Sequence, residues 1–206
     1  AQKNKTRVIA VDQMRCDIAR RANQWVGVRP GTDGALILGL INVVINEKLY
    51  DREFVDNWTL GFSELSDYVR EFTPEKVESI TRVPAETITA LAREIAQTEG
   101  VSLRTYTGLE YTNSGVQNIR ALYILWALTG NLDVPGGLGI TPLPRRPSQK
   151  KFEAPAGVLP IGAEKYPMFY ELTRCAHYLE FPGAVLEGKP YPVRGLIING
   201  SSTLTS

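Results

Sequence analysis

Two aspartates carry the chemistry most plainly written in this chain of 206 residues. Asp12 closes the apolar run Val8-Ile9-Ala10-Val11, and Asp33 follows a second run, Trp25-Val26-Gly27-Val28, across the turn Arg29-Pro30-Gly31-Thr32. Short apolar runs bounded by polar residues predict buried strands of a parallel sheet. Open α/β sheets bind ligands in loops at the carboxyl ends of such strands, and an acidic residue there is a customary partner for ribose hydroxyls. Asp12 can accept hydrogen bonds from two adjacent hydroxyls, or it can cap a helix starting near Cys16. Asp33 can cap the helix that follows it, or accept from the N1–H and the exocyclic amine on one edge of guanine. Arg15 and Arg29 can donate charge-assisted hydrogen bonds to a pyrophosphate or a carbonyl, or form surface ion pairs of little energetic weight.

The elements that must hold these side chains follow from periodicity. Thr32 or Asp33 is placed to cap a helix over residues 34–48 whose core, 35–45, is apolar on nearly every side except Asn42, so that helix should be buried on most faces. Phe62, Leu65, Val69 and Phe72 recur at helical spacing, as do Ile88, Leu91, Ala92 and Ile95 after Pro84 at a helix start. Leu103-Arg104-Thr105-Tyr106-Thr107 reads as a third strand ending at Gly108, followed by an apolar helix over 115–128 closed by Gly130. Residues 131–165 are rich in Pro and Gly and predict a long irregular loop. A short helix around 168–177 and a last strand over 193–198 complete the series. The alternation predicts a single α/β domain over 1–206, with a mainly parallel sheet, strands at Val8, Trp25, Leu103 and Leu196, helices on both faces and right-handed crossovers.

Composition narrows the classes of function. A hydrophobic content of 43% supports a substantial core, and a net charge of +1 speaks against a polyanion as the main partner. Arg145-Arg146 and Lys150-Lys151 read as a solvated loop. Cys16 and Cys175 cannot build a disulfide framework or a four-cysteine metal site; Cys175 and His177, two positions apart, read as a partly buried thiol and a surface imidazole on a helix. No run approaches the roughly 18 apolar residues that span a bilayer, so no membrane contact is expected from this segment. Gly136-Gly137-Leu138-Gly139 does not open a helix after a strand, and no Gly-Lys-Ser/Thr motif is present, which weakens ATPase and ordinary NAD-binding readings.

The ordered series of motifs resembles the molybdopterin oxidoreductase family, whose members carry molybdenum or tungsten on two pterin guanine dinucleotides. That family has a strand ending in Asp-Pro-Arg, seen here as Asp12-Gln13-Met14-Arg15 with Gln in place of Pro. A second strand follows, and then Pro-Gly-Thr-Asp, intact here as Pro30-Gly31-Thr32-Asp33. The likeness continues through Gly39-Leu40-Ile41-Asn42, Leu49-Tyr50-Asp51-Arg52-Glu53, Thr73-Pro74-Glu75, Val83-Pro84-Ala85 and Leu128-Thr129-Gly130-Asn131-Leu132, covering about the first two thirds of the chain.

The resemblance implies a dinucleotide-binding, Rossmann-like domain excised from a longer enzyme. It implies that Asp33 reads guanine and that Asp12, Arg15, Arg29, Gly31 and Thr32 contact the same cofactor. The turn holding Thr107, Gly108, Glu110 and Tyr111 would approach the pterin, although Tyr106 replaces a common Gly and Tyr111 a common Gln. Arg145 would approach the metal side. The family's metal ligand and its cysteine cluster for an iron–sulfur centre map outside this chain, and Ser201-Ser202-Thr203 replaces the family's Ser-Asn-Pro. The isolated chain is therefore expected to be inactive and to hold no metal. The parent is expected to be a prokaryotic enzyme of cytoplasm or periplasm, with its remaining domains, electron-transfer subunits and a small-molecule substrate as partners. The alternative is a non-catalytic guanine-nucleotide or protein-interaction module of the same fold. Formate, nitrate, sulfoxide and polysulfide chemistry and acetylene hydration all run on related scaffolds, so the resemblance does not select a substrate.

Overall fold

The computed structural model describes residues 6–140 and 156–200, divided between two compact units, Ala1–Leu143 and Pro144–Ser206. In the first unit, β1 (Ile9–Val11) pairs in parallel with β2 (Gln24–Val26), Ile9 opposite Gln24 and Val11 opposite Val26. Parallel neighbours need a crossover, and α1 (Asp17–Arg21) supplies it. The apolar runs at Val8 and Trp25 are thus parallel strands, as their pattern predicts, but of the six paired residues only Val26 is buried, so the predicted burial is not met.

The centre of this unit is α2 (Asp33–Asn46), which buries Leu36, Ile37, Leu40, Ile41, Val43 and Val44. It packs against α4 (Phe62–Val69), α5 (Pro74–Thr81), α6 (Ala85–Gln97) and α8 (Gly115–Leu128), which is why its apolar residues run right round its circumference. Its one buried polar side chain, Asn42, donates from Nδ2 to the carbonyl of Val69 at 2.8 Å and so ties α2 to the end of α4. At Gly39 a Cβ would lie 2.9 Å from Val77, so the missing side chain lets α5 approach. Helix starts are chemically marked. Asp51 caps α3 (Arg52–Trp58) by accepting from the Phe54 amide, and Thr73 caps α5 ahead of Pro74. The predicted stripe Ile88, Leu91, Ala92 and Ile95 is the buried face of α6, and each large member contributes about 1.5–3 kcal/mol on burial.

The sheet is smaller than the sequence predicts. Among the described residues it has two strands, and neither 103–107 nor 193–198 joins it, so the Rossmann-like sheet is not formed by them. A strand is made by its ladder, and residues 103–107 have none; just ahead of them, side chains bond the backbone of Val101 instead. The Val101 amide donates to Asn131 Oδ1 at 2.8 Å, and the Val101 carbonyl accepts from Trp126 Nε1 at 2.7 Å. The segment beyond keeps a strand's alternation, with Leu103 and Thr105 half-buried and Ser102 and Arg104 exposed. The start of the expected long loop is a tight turn closed by a bridge between Leu132 and Leu138; residues 141–155, Arg145 among them, lie outside the described residues, as do 1–5 and 201–206.

The second unit holds α9 (Pro167–Thr173) and α10 (Phe181–Glu187) around the small buried residues Ile161, Ala163 and Ala184. Here the sequence reading of the thiol and imidazole is reversed. Cys175 is exposed, whereas His177 stacks on Tyr166 at 4.1 Å between ring centroids, with Phe169 edge-on at 5.0 Å. Neither residue lies in α9, because Arg174 takes a left-handed conformation that ends it. Leu196, Ile197 and Ile198 are exposed. No helix among the described residues is long and apolar enough to cross a membrane.

Candidate functional site

The site is built on the turn that feeds α2. The Arg29 amide donates to the Thr81 carbonyl at 2.9 Å, which anchors the turn to the end of α5. The Thr32 amide then donates back to the Arg29 carbonyl at 3.2 Å, with Pro30 second in the turn and Gly31 third at φ 77°. Pro and a left-handed Gly in those places make a type II turn. Thr32 Oγ1 reinforces it with a 2.7 Å bond to the same carbonyl. The turn delivers Asp33 into the first turn of α2, where the unpaired amides of the helix favour negative charge. Burial pushes the Asp33 carboxyl above its ordinary value, its own amide draws it back down, and the Asp12 carboxylate adds to the upward shift.

Asp12 is fixed at the exit of β1. Its amide donates to the Val26 carbonyl at 3.2 Å, and its own carbonyl accepts from Trp25 Nε1 at 2.9 Å. One carboxylate oxygen accepts from the Met14 amide at 2.9 Å, and the other accepts from the Cys16 thiol at 3.6 Å. The helix-capping role open to Asp12 in the sequence is therefore not the one observed. Cys16 occupies the cap of α1, and Asp12 closes a local turn ahead of it. The Arg15 guanidinium lies 5.9 Å from the centre of the Trp25 ring, close enough for a cation–π contact.

Both aspartates line one cleft of about 1160 Å³, together with Gly31 and Gly108. Arg15, Arg29 and Thr32 stand next to these residues in the chain without lining the cleft. Thr107, Glu110 and Tyr111 are exposed and also lie off its wall; the first two belong to a single helical turn, α7 (Thr107–Glu110). Gly115 sets the position of that turn, because a Cβ there would lie 2.1 Å from the Glu110 carbonyl oxygen. The cleft thus carries Asp12 and Asp33, with Glu94 and Glu99 also on its wall, and is floored by the buried residues Leu36, Leu40, Leu91, Ile95, Leu122 and Trp126.

One positioning residue escaped the sequence reading. Asn131, only 1% exposed, accepts from the Val101 amide and donates from Nδ2 to the carbonyls of Ile95 and Thr129, both at 3.3 Å. It locks the wall segment after α6 to the end of α8. Its signal was an Asn directly behind an apolar helix, in the run Leu128-Thr129-Gly130-Asn131-Leu132. Among the described residues, no three His, Cys, Asp or Glu side chains cluster as metal ligands. Asp12 and Asp33 offer acceptors to a ligand that presents donors, while Arg7 and Arg104 on the same cleft offer charged donors.

No family model matches the chain. Acetylene hydratase of Syntrophotalea acetylenica is 40% identical over 131 residues, which make up 64% of this chain and 18% of that protein. The molybdopterin-containing subunit PhsA of thiosulfate reductase from Salmonella typhimurium is 31% identical over 139 residues, 67% of this chain and 18% of that one. The solved structure of acetylene hydratase from Pelobacter acetylenicus superposes with a TM-score of 0.72 at 29% identity, covering 93% of this chain and 30% of that chain. The chain spans about a fifth of the length of the curated relatives it matches. On this homology with enzymes of hydratase and reductase type, the chain belongs to the molybdopterin oxidoreductase family.

Proposed function

We propose that this chain is the part of a molybdopterin enzyme that grips the guanine nucleotide end of the cofactor, with Asp33 reading the base. The observation that carries the reading is the environment of Asp33: half-buried at a helix start, at the mouth of a cleft, with no side chain among the described residues donating to it. Guanine presents two adjacent donors that a single carboxylate can accept together. Adenine presents an acceptor in place of one of them, and that acceptor would face the carboxylate with like polarity. Asp12 at the end of β1 is suited to ribose hydroxyls, as acidic strand-end residues are in other nucleotide-binding sheets. The Gly31 position, with open space where a Cβ would stand, lets a ligand approach the backbone. Under this reading Arg15 and Arg29, which stand beside cleft residues in the chain, would donate toward phosphate, and Thr107, Gly108, Glu110 and Tyr111 form the turn proposed to approach the pterin.

When bound, the metal and pterin supply the oxygen-atom or electron transfer, and this segment supplies binding and orientation. Molybdenum or tungsten, an iron–sulfur cluster held outside this chain, electron-transfer subunits and a small-molecule substrate belong to the whole enzyme under this proposal. The test is to purify the longest protein expressed from the gene, denature it, and identify the nucleotide released on hydrolysis. Guanine nucleotide in step with pterin is expected. Another base, or none, overturns the reading and favours a non-catalytic module.

A further inference from the structure

Trp25 is a tryptophan that fills no core. Alternation along β2 turns Val26 inward, 2% exposed, and Trp25 to the other face, where 39% of it stays open to water. Trp126, by contrast, is 5% exposed and packs within the core. Burial therefore does not account for the ring at the strand end, and its polar contacts do.

The indole lies against the backbone at Gly27, where a Cβ would stand 3.0 Å from Cζ2 of the ring. From there Nε1 donates to the Asp12 carbonyl at 2.9 Å. The Asp12 amide donates to the Val26 carbonyl at 3.2 Å, and the next rung of a parallel ladder would run from the Val28 amide to the Asp12 carbonyl. The indole takes that acceptor in place of the backbone. It thereby sets the plane of the peptide after Asp12, and with it the turn whose Met14 amide donates to one carboxylate oxygen at 2.9 Å. The other oxygen accepts from the Cys16 thiol at 3.6 Å. A carboxylate oxygen can accept two hydrogen bonds, so each keeps a place for a ribose hydroxyl.

The same ring carries Arg15, whose guanidinium lies 5.9 Å from the ring centre. Among the described residues no carboxylate pairs with Arg15, so its donors stay open to a ligand. We infer that Trp25 is a positioning residue of the nucleotide site: one indole fixes the Asp12 carboxylate for the ribose and the Arg15 guanidinium for the phosphate next to it. Ribose and phosphate are neighbours in a nucleotide, and Asp12 and Arg15 are three positions apart, so a single rigid ring can serve both. Support of this kind raises affinity by ordering the binding groups before the ligand arrives. The inference rests on the roles proposed for Asp12 and Arg15, and not on which base Asp33 accepts.

The test uses the longest protein expressed from the gene, with the nucleotide retained per polypeptide after gel filtration as the readout. Trp25→Phe keeps a ring beside Arg15 and removes the N–H; it should retain roughly three- to tenfold less nucleotide, the weight of one neutral hydrogen bond. Trp25→Ala removes the ring as well and should retain roughly a further two- to fivefold less. In an Asp12→Asn background Trp25→Phe should have no further effect, because its influence passes through that carboxylate. Wild-type retention in both Trp25 variants overturns the inference. So does an equal loss from Trp25→Phe with and without the Asp12 carboxylate, which would make the indole a prop of the fold alone. Release of a nucleotide with another base, with the same dependence on Trp25, would sink the guanine reading and support this inference. A wild-type protein that holds no nucleotide overturns both.

Discussion

Asp12 stands close enough to Asp33 for its negative charge to help hold the Asp33 carboxyl above the ordinary aspartate value of 3.8, adding to the larger effect of burial. The two residues lie 21 positions apart in sequence and meet only because a parallel strand pair and a type II turn bring their ends to one mouth. Two carboxylates held together at the start of a helix are an unfavourable charge arrangement, which under the proposed function a ligand with hydrogen-bond donors would relieve.

The sign of the pH effect follows. A carboxyl whose folded value is raised stabilises the fold fully below its unfolded value, and that contribution is lost as pH rises through the folded value. Asp33→Asn should therefore raise the melting temperature of the ligand-free chain near pH 7, and the gain should vanish below about pH 3.8. Thermal unfolding at both pH values checks this. A variant less stable than wild type at pH 7 would show that the carboxylate is satisfied within the fold.

Asn131→Ala should destabilise the chain on the order of 3 kcal/mol, because it strands the Val101 amide and the Ile95 carbonyl in the interior. Urea denaturation measures it. A midpoint unchanged from wild type would mean that water replaces the side chain and that the wall segment does not depend on it.

Gly115→Ala should displace α7, since the new methyl group would fall 2.1 Å from the Glu110 carbonyl oxygen and meet backbone that cannot swing aside. Overpacking of this kind costs about 1–3 kcal/mol. Faster amide exchange across residues 107–111, with the core of α8 still protected, is the expected signature. Unaltered exchange there would contradict the role given to Gly115.

The purified chain of 206 residues should carry no molybdenum, tungsten or iron in stoichiometric amount. Its thiols are Cys16 and Cys175, its one imidazole is stacked against Tyr166, and no metal-ligand cluster exists among the described residues. Elemental analysis decides this, and one metal per chain would refute it.

What could be read from sequence was what depends on local pattern. The two apolar runs before Asp12 and Arg29 form strands because their partners are each other, and α2, α6 and α8 carry period-3.6 signals strong enough to place them. Leu103-Arg104-Thr105 has a strand's alternation as well, but a strand is completed by a ladder of hydrogen bonds, and this segment pairs with neither β1 nor β2. The exposed run 196–198 misled for the same reason. Of the residues that line the cleft, Asp12 and Asp33 were singled out from strand ends and turn chemistry, and Gly31 and Gly108 from the family resemblance. Asn131 was not, because the burial of a polar side chain is a tertiary fact that leaves no periodic trace. His177 was misjudged on the same ground: only the fold shows that Tyr166 and Phe169 enclose it.

The central claim is that Asp33 holds the guanine of a dinucleotide cofactor. Its most direct test is Asp33→Ala in the longest protein expressed from the gene, with released guanine nucleotide and pterin quantified per polypeptide. Loss of a charged hydrogen-bond acceptor costs about 1.5–3 kcal/mol, so affinity should fall roughly ten- to a hundredfold and both contents should drop together. Asp17→Ala, at an exposed residue that pairs with Arg20, should leave them unchanged. Full and equal occupancy in the Asp33→Ala protein would contradict the account.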